Sequence, residues 1–297
     1  MRQISRLLIF CALAAAAAVT QQTTASSDSA WKPVEQAMGH SGQVQPDGAM
    51  KFGLPRSDLK VVLRGVQIKP PLALGGWVAF SSSGHGMVMG DLVLTENEVA
   101  PVMSELEHSG IAVTALHNHL LHETPHVMYM HIAAQGDATT LAHGVHDAVA
   151  LTKIPPAPAA PASATSKLEI DTAGIETALG HKGKINGGVF QVGVPRAEAI
   201  TDAGMKVPNS LGVATGINFQ PTGNGKAAIA GDFVLLPSEV GPVMKALRAG
   251  GIEVTAVHSH MLDESPRLIF MHYWANDDAV KLAKALRATL DLTNSAK

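Results

Sequence analysis

Short aliphatic runs and helical spacings alternate along this chain, and the same alternation comes twice. "GDLVL" (90–94) and "GDFVLL" (231–236) read as strands. After the first, "NEVAPVMSELEHSG" (97–110) places Val99, Val102, Met103 and Leu106 on one face of a predicted helix, with Pro101 in its first turn. Asn97 and Ser238 are the expected N-caps, and Gly110 and Gly251 the expected stops. "IAVTALHNHL" (111–120) is β-branched and predicts a strand, and "PHVMYMHIAA" (125–134) predicts another, reached through a tight turn near Thr124. Asp137 or its neighbour opens a closing helix, clearer in the second copy as "DDAVKLAKALRATL" (277–290). Each copy therefore reads β-α-β-β-α, with further strands upstream at "VVLRGVQI" and "GGWVAF". The expected class is α+β, an antiparallel sheet with helices on one face and a ferredoxin-like core.

The two copies are related by an offset of 141 positions, seen in His117 and His258 (258 − 117). The offset holds without a gap from Asp91/Asp232 to Thr152/Thr293, and about half of the paired positions are identical. Upstream, "MGHSGQV" (38–44) faces "LGHKGKI" (179–185), and "FGLPR" (52–56) faces "VGVPR" (192–196). Between the copies, "KIPPAPAAPASATSK" (153–167) has the composition of a semi-rigid linker. The expected organisation is a leader over 1–26, a first repeat over 27–152, a linker over 153–168 and a second repeat over 169–297. The repeats are expected to pack as a pseudo-dimer, because duplicated units tend to keep a two-fold relation.

The leader rests on Arg2 and Arg6 beside "LLIFCALAAAAAV" (7–19) and the polar "TQQTTASSDS" that follows. That apolar run is too short to span a bilayer, and no transmembrane span is expected after its removal. The protein is expected to be periplasmic or secreted. Cys11, the single cysteine, lies in this segment, so neither disulfides nor thiolate ligands are expected in the mature chain. A formal charge of −3 provides no basic field for nucleic acid. The oligomeric state stays open.

Repetition separates shared histidines from incidental ones. His108, His122, His126, His143 and His146 face non-histidines in the second copy and read as solvated positions. The shared set is His40/His181, His117/His258, His119/His260 and His131/His272, with Glu123/Glu264 beside them. In a strand, alternate residues share a face. His117 and His119 are therefore expected on one face with Ile111, Val113 and Ala115, and His131 opposite His117 on the returning strand. Three imidazoles without thiolate suit Zn first, with Mn, Fe or Cu as alternatives. Glu123 and Glu264 are the expected fourth ligands or catalytic acid/base groups. His40 and His181 end apolar helices, where a histidine is favoured by the helix dipole alone. Met87, Met89, Met128 and Met130 alternate as core residues do.

"LKVVLRGVQIKPPLALGGWVAF" (59–80), "PTGNGKAAIAGDFVL" (221–235) and the two H-x-H…E-x-P…MH segments resemble the LppY/LpqO family of bacterial cell-envelope proteins, along nearly the whole mature chain. The resemblance implies an exported, duplicated-domain protein and supplies no substrate. The founding members are lipoproteins, whereas Cys11 follows Leu8-Ile9-Phe10, which is no lipid-attachment context.

Three functions follow from these residues. The first is an exported metal-binding protein with one site per repeat, His117, His119 and His131 in one and His258, His260 and His272 in the other, with metal-dependent hydrolysis as its favoured chemistry. The second is a metal-independent envelope module for a cell-wall fragment or small molecule. The third is a purely structural envelope protein.

Overall fold

The computed structural model describes residues 22–155 and 168–296. Most of the expected leader and of the linker therefore lies outside the described residues. In the first repeat, helix α1 (Gln22–Met38) precedes strands β1 (Gln43–Val44), β2 (Met50–Pro55), β3 (Val62–Leu63), β4 (Val66–Gln67), β5 (Gly75–Phe80) and β6 (His85–Thr95). Then come α2 (Glu96–His108), β7 (Ala112–His117), β8 (Val127–Asp137) and α3 (Ala138–Ala150). The second repeat runs α4 (Thr172–Leu179), β9 (Lys184–Asn186), β10 (Val189–Pro195), β11 (Thr201–Asp202), β12 (Met205–Lys206), β13 (Ala214–Gly223) and β14 (Lys226–Leu235). It closes with α5 (Val240–Ala249), β15 (Glu253–His258), β16 (Glu264–Ser265), β17 (Ile269–Asp278) and α6 (Ala279–Leu290). No helix among the described residues is long and apolar enough to cross a membrane.

Each repeat forms a six-stranded antiparallel sheet with the same strand order. In the first it is β1-β2-β5-β6-β8-β7, and in the second β9-β10-β13-β14-β17-β15. The mixed α/β class and the duplication agree with the sequence. The helices begin where local chemistry allows, with two corrections. Thr95, not Asn97, caps α2, through a capping box with Glu98. Pro101 consequently lies inside α2 rather than in its first turn. In the second repeat the cap position is Glu239, not Ser238. Asp137 and Asp278 cap the closing helices as expected, accepting from Thr140 N and Lys281 N. Gly110 and Gly251 sit at φ 71° and 75°, a conformation that costs glycine nothing and ends α2 and α5.

Alternation along the central strands assigns two different cores. Val88, Leu92 and Leu94 of β6, with Met130 and Ile132 of β8, pack under α1, α2 and α3. The intervening Met87, Met89 and Val93 face the other repeat. β6 is buried on both faces, which explains its nearly unbroken apolar composition. The molecule is thus layered as helices, sheet, sheet, helices.

Reciprocal arms hold the sheets face to face. From the first repeat, Val61, Leu63, Ile68 and Leu72 pack with Val189, Ala228, Ala230 and Trp274 of the second. From the second, Ile200, Val207, Leu211 and Val213 pack on Ala49, Ala79, Met87 and Met89 of the first. Polar pairs fix the register of this docking. Gln220 accepts from Lys69 N at 2.9 Å and donates to Gln67 O at 2.8 Å, and Lys51 Nζ donates to Ser210 O at 3.1 Å.

One buried ionic cluster anchors each repeat. Arg56, with no exposed surface, donates to Glu98 (2.6 Å), Asp58 (2.9 and 3.0 Å) and the Val93 carbonyl (2.9 Å). Arg196 repeats this with Glu239, Glu198 and the Val234 carbonyl. Glu98 also accepts from Thr95 N and Lys153 N, so one carboxylate joins β2, the start of α2 and the end of the repeat. Removing it leaves Arg56 buried with part of its charge uncompensated. Glu98→Ala is expected to lower the unfolding free energy by about 3–5 kcal/mol in a denaturant titration, and a loss below about 1 kcal/mol would contradict a structural role for the cluster.

Candidate metal centre

β7 and β15 carry the His-x-His pairs to the seam between the sheets by a change of face within each strand. The pairing of β7 with β8 shifts between Val113, opposite Ile132, and Ala115, opposite His131. A bulge at Thr114 absorbs the extra residue. Ile111 and Val113 consequently pack on the helix side, while Ala115 and His117 turn to the seam. This corrects the expected shared face of Ile111, Val113 and His117. His117 stands opposite Tyr129, two pairs along from His131, which also corrects the expected pairing of His117 with His131. The second repeat has the same shift between Val254 and Ala256, at Thr255. Both bulge threonines reach across the seam: Thr114 Oγ1 donates to His260 O (2.5 Å) and Thr255 Oγ1 to His119 O (2.6 Å).

The outcome is one cluster of six histidines in place of two separate sets. Rings stack in pairs across the seam, His117 on His258 with centroids 3.5 Å apart, and His119 on His272 and His131 on His260, each at 3.7 Å. Tyr129 backs His119 at 3.4 Å, and Phe270 backs His260 at 3.3 Å. Three groups of ring nitrogens lie within 4.8 Å of one another and could hold a metal ion: His117/His119/His131, His117/His258/His272 and His131/His258/His260. Two of these groups mix the repeats.

All six Nε2 atoms are buried and have no hydrogen-bond partner. The opposite nitrogens are fixed in several cases: Nδ1 of His117, His258 and His272 lies 3.0, 3.2 and 3.1 Å from the carbonyls of Asn118, Ser259 and Gly231. Donating Nδ1–H to a carbonyl sets the tautomer that leaves Nε2 a bare lone pair, as histidine ligands require. Burial pushes every one of these imidazoles down, His117 to about 4 and His258 to about 3. His119, His131, His260 and His272 fall well below the ordinary value, through burial and then through the neighbouring rings. The rings are therefore neutral near pH 7.

Two carboxylates stand beside them. Asp91 is opposite His131 across the β6–β8 pair, and Asp232 opposite His272 across β14–β17. Asp91 Oδ2 is 3.7 Å from His119 Nε2 and Oδ1 is 4.0 Å from His131 Nε2. With neutral imidazoles these approaches are not ion pairs. Burial, and then Asp232, raise Asp91 to about 8, and burial raises Asp232 to about 7. Lys51, itself lowered to about 8 by burial, is the cation that acts on both. Neither aspartate is among the ligands expected from the sequence. The signal was present, since Asp91 and Asp232 begin the ungapped repeat and are kept in both copies.

Glu123 precedes β8 and Glu264 lies in β16, just before β17, and neither belongs to any of the nitrogen groups. Both are buried. Glu123 Oε1 lies 2.7 Å from His126 Nδ1 and accepts from Val127 N at 3.4 Å. Glu264 accepts from Leu268 N at 2.9 Å and from Arg267 Nη1 at 3.2 Å. His40 ends α1 edge-on to Phe52, away from the cluster.

The family described as Domain of Unknown Function (DUF1259) matches residues 32–151 and, a second time, residues 173–292. No curated protein matches the chain. Among solved structures, the crystal structure of EtuB from Clostridium kluyveri is similar at 9% identity and a TM-score of 0.19, over 84% of this chain and 90% of that one. A likeness that low carries no argument. The two matches span most of the chain, which belongs to the DUF1259 family.

The lowered imidazoles make acid sensitivity a direct test of the cluster. An unfolded histidine titrates near 6.5, so below that value the unfolded chain binds protons that the folded cluster refuses, and stability falls as pH falls. Asp91 and Asp232, raised when folded, act oppositely and cost stability as pH rises toward 7 and 8. Six imidazoles outweigh two carboxylates below 6.5. The chelator-treated protein is expected to melt at progressively lower temperature from pH 6.5 to 4.5 in calorimetry, and a flat profile would contradict buried neutral imidazoles.

Proposed function

We propose that this DUF1259 protein is an exported metal-binding protein whose centre is shared between its repeats, with His117, His119, His131, His258, His260 and His272 as ligands. The observation that carries the reading is the convergence of six buried, unpartnered Nε2 atoms. A buried acceptor left unpaired costs about 1–3 kcal/mol, and six together at one seam are accounted for by a cation. The donors are imidazoles with carboxylates nearby and no thiolate, a set that suits Zn first and also Mn, Fe or Cu. Placing ligands from both repeats on one centre makes the duplication a requirement of the site. The ferredoxin-like cores belong to this reading, since β8 lies between β6 and β7, with α2 connecting β6 to β7 and α3 following β8, and a pseudo-two-fold axis through the stacked rings relates the repeats. The resemblance to the LppY/LpqO proteins and the leader expected over 1–26 favour export to the periplasm or beyond.

Beside His131 and His260 the seam leaves a cavity of about 10 Å³, the volume for about one water. That supports metal holding over turnover of a bulky substrate. A larger cavity of about 160 Å³, lined by Met87, Met89, Thr114, Asp202 and Leu262 among others, opens at the rim. It is below the roughly 300–1,000 Å³ common for small-molecule pockets, so a metal-independent ligand between the repeats is the weaker reading.

Elemental mass spectrometry on untagged protein from its own cell envelope is expected to find bound first-row metal. His119→Ala is expected to lower metal content at least twofold while far-UV circular dichroism stays unchanged. Metal-free native protein that takes up none on titration with Zn, Mn, Fe or Cu would overturn the reading.

A further inference from the structure

Building on the metal reading, we infer that the centre is binuclear and that Asp91 and Asp232 are its carboxylate ligands. The first argument is donor number. Six imidazoles and two carboxylates converge on the seam, too many for one first-row ion, which takes four to six ligands. Shared equally between two ions, they would give each three nitrogens and one oxygen, the number a tetrahedral ion takes, and His117, His119 and His131 are the trio that Asp91 faces.

The second argument is distance. Two ligands on one tetrahedral zinc stand roughly 3.3 Å apart, given metal–ligand bonds of about 2.0–2.1 Å. Asp91 Oδ2 and Oδ1 lie 3.7 and 4.0 Å from Nε2 of His119 and His131, within a small side-chain adjustment of that value. Oδ1 of Asp91 is also buried without a hydrogen-bond partner, as are the nitrogens it faces. Asp232 holds the corresponding register position opposite His272, with the Gly216 backbone as a hydrogen-bonding partner.

The third argument is charge. Neutral imidazoles leave a buried divalent ion uncompensated, and buried charge persists only when paired. Asp91, buried, and Asp232, half-buried, are the carboxylates placed to supply that compensating charge. Lys51 is committed elsewhere, donating to Ser210 O and lying 3.9 Å over the Trp77 ring. A metal ion between aspartate and histidines pairs its charge with the carboxylate.

The test is metal stoichiometry on the full untagged chain, by Co(II) titration of chelated protein followed through d–d absorption, with Zn(II) equivalents counted by elemental analysis. Wild type is expected to take two equivalents. Asp91→Ala and Asp232→Ala are each expected to retain one, with Asp91→Asn, which keeps shape and loses charge, weakening one Co(II) step at least tenfold. Melting of the chelated variants checks that they fold, and the Asn variant serves if Asp91→Ala does not. A wild type that takes one equivalent, or aspartate variants that keep two with unchanged affinity, overturns the binuclear assignment and leaves the metal reading standing. A wild type that takes none overturns the metal reading itself.

Discussion

Neutral imidazoles packed against one another at the seam of two sheets are the constraint on which the rest of this molecule depends. An imidazole with a buried lone pair is tolerated where its other nitrogen is satisfied, its ring is stacked, and its lone pair has something to meet. The structure meets the first two conditions with carbonyls at Asn118, Ser259 and Gly231 and with stacked rings across the seam. The third condition is the one the proposed cation would meet. Apolar burial on both sides of the histidines, in the two clusters built from the crossed arms, supplies the driving force that closes the sheets on them.

Duplication explains why such a seam exists. One repeat alone would expose the face carrying Met87, Met89, Val93 and Tyr129, together with the lone pairs of its own three histidines. Its mate covers that face and offers an equivalent set of nitrogens. The repeats have diverged where this requirement is relaxed. Tyr129 and Phe270 both supply a flat ring behind a histidine, and His126 and Arg267 both offer a nitrogen to the turn glutamate. Where backbone geometry is at stake, as at Arg56/Arg196 and Thr114/Thr255, the residues are identical. The arginine clusters hold β2 and β10 to the start of the following helix, and so fix the central strands that bear the aspartates.

Much of the fold and part of the centre were legible along the chain. Hydrophobic period separates β6 from α2 and β8 from α3, and Asp137, Asp278, Gly110 and Gly251 punctuate the helices through local capping physics. The 141-residue offset, by holding His117, His119 and His131 while half the neighbours changed, singled out the ligand candidates. These signals are local or depend on comparing the chain with itself, so a sequence carries them. Three features needed the tertiary structure. The face of His117 depends on a bulge at Thr114, and a one-residue slip, set by pairing with β8, reverses strand periodicity. The roles of Asp91 and Asp232 depend on which residues stand opposite His131 and His272 on a neighbouring strand. The merging of two expected sites into one depends on how the sheets dock, which is decided by arms that cross from each repeat to the other. Residue type and spacing thus determined that histidines would be clustered. Long-range packing, which no spacing encodes, decided that they meet as six.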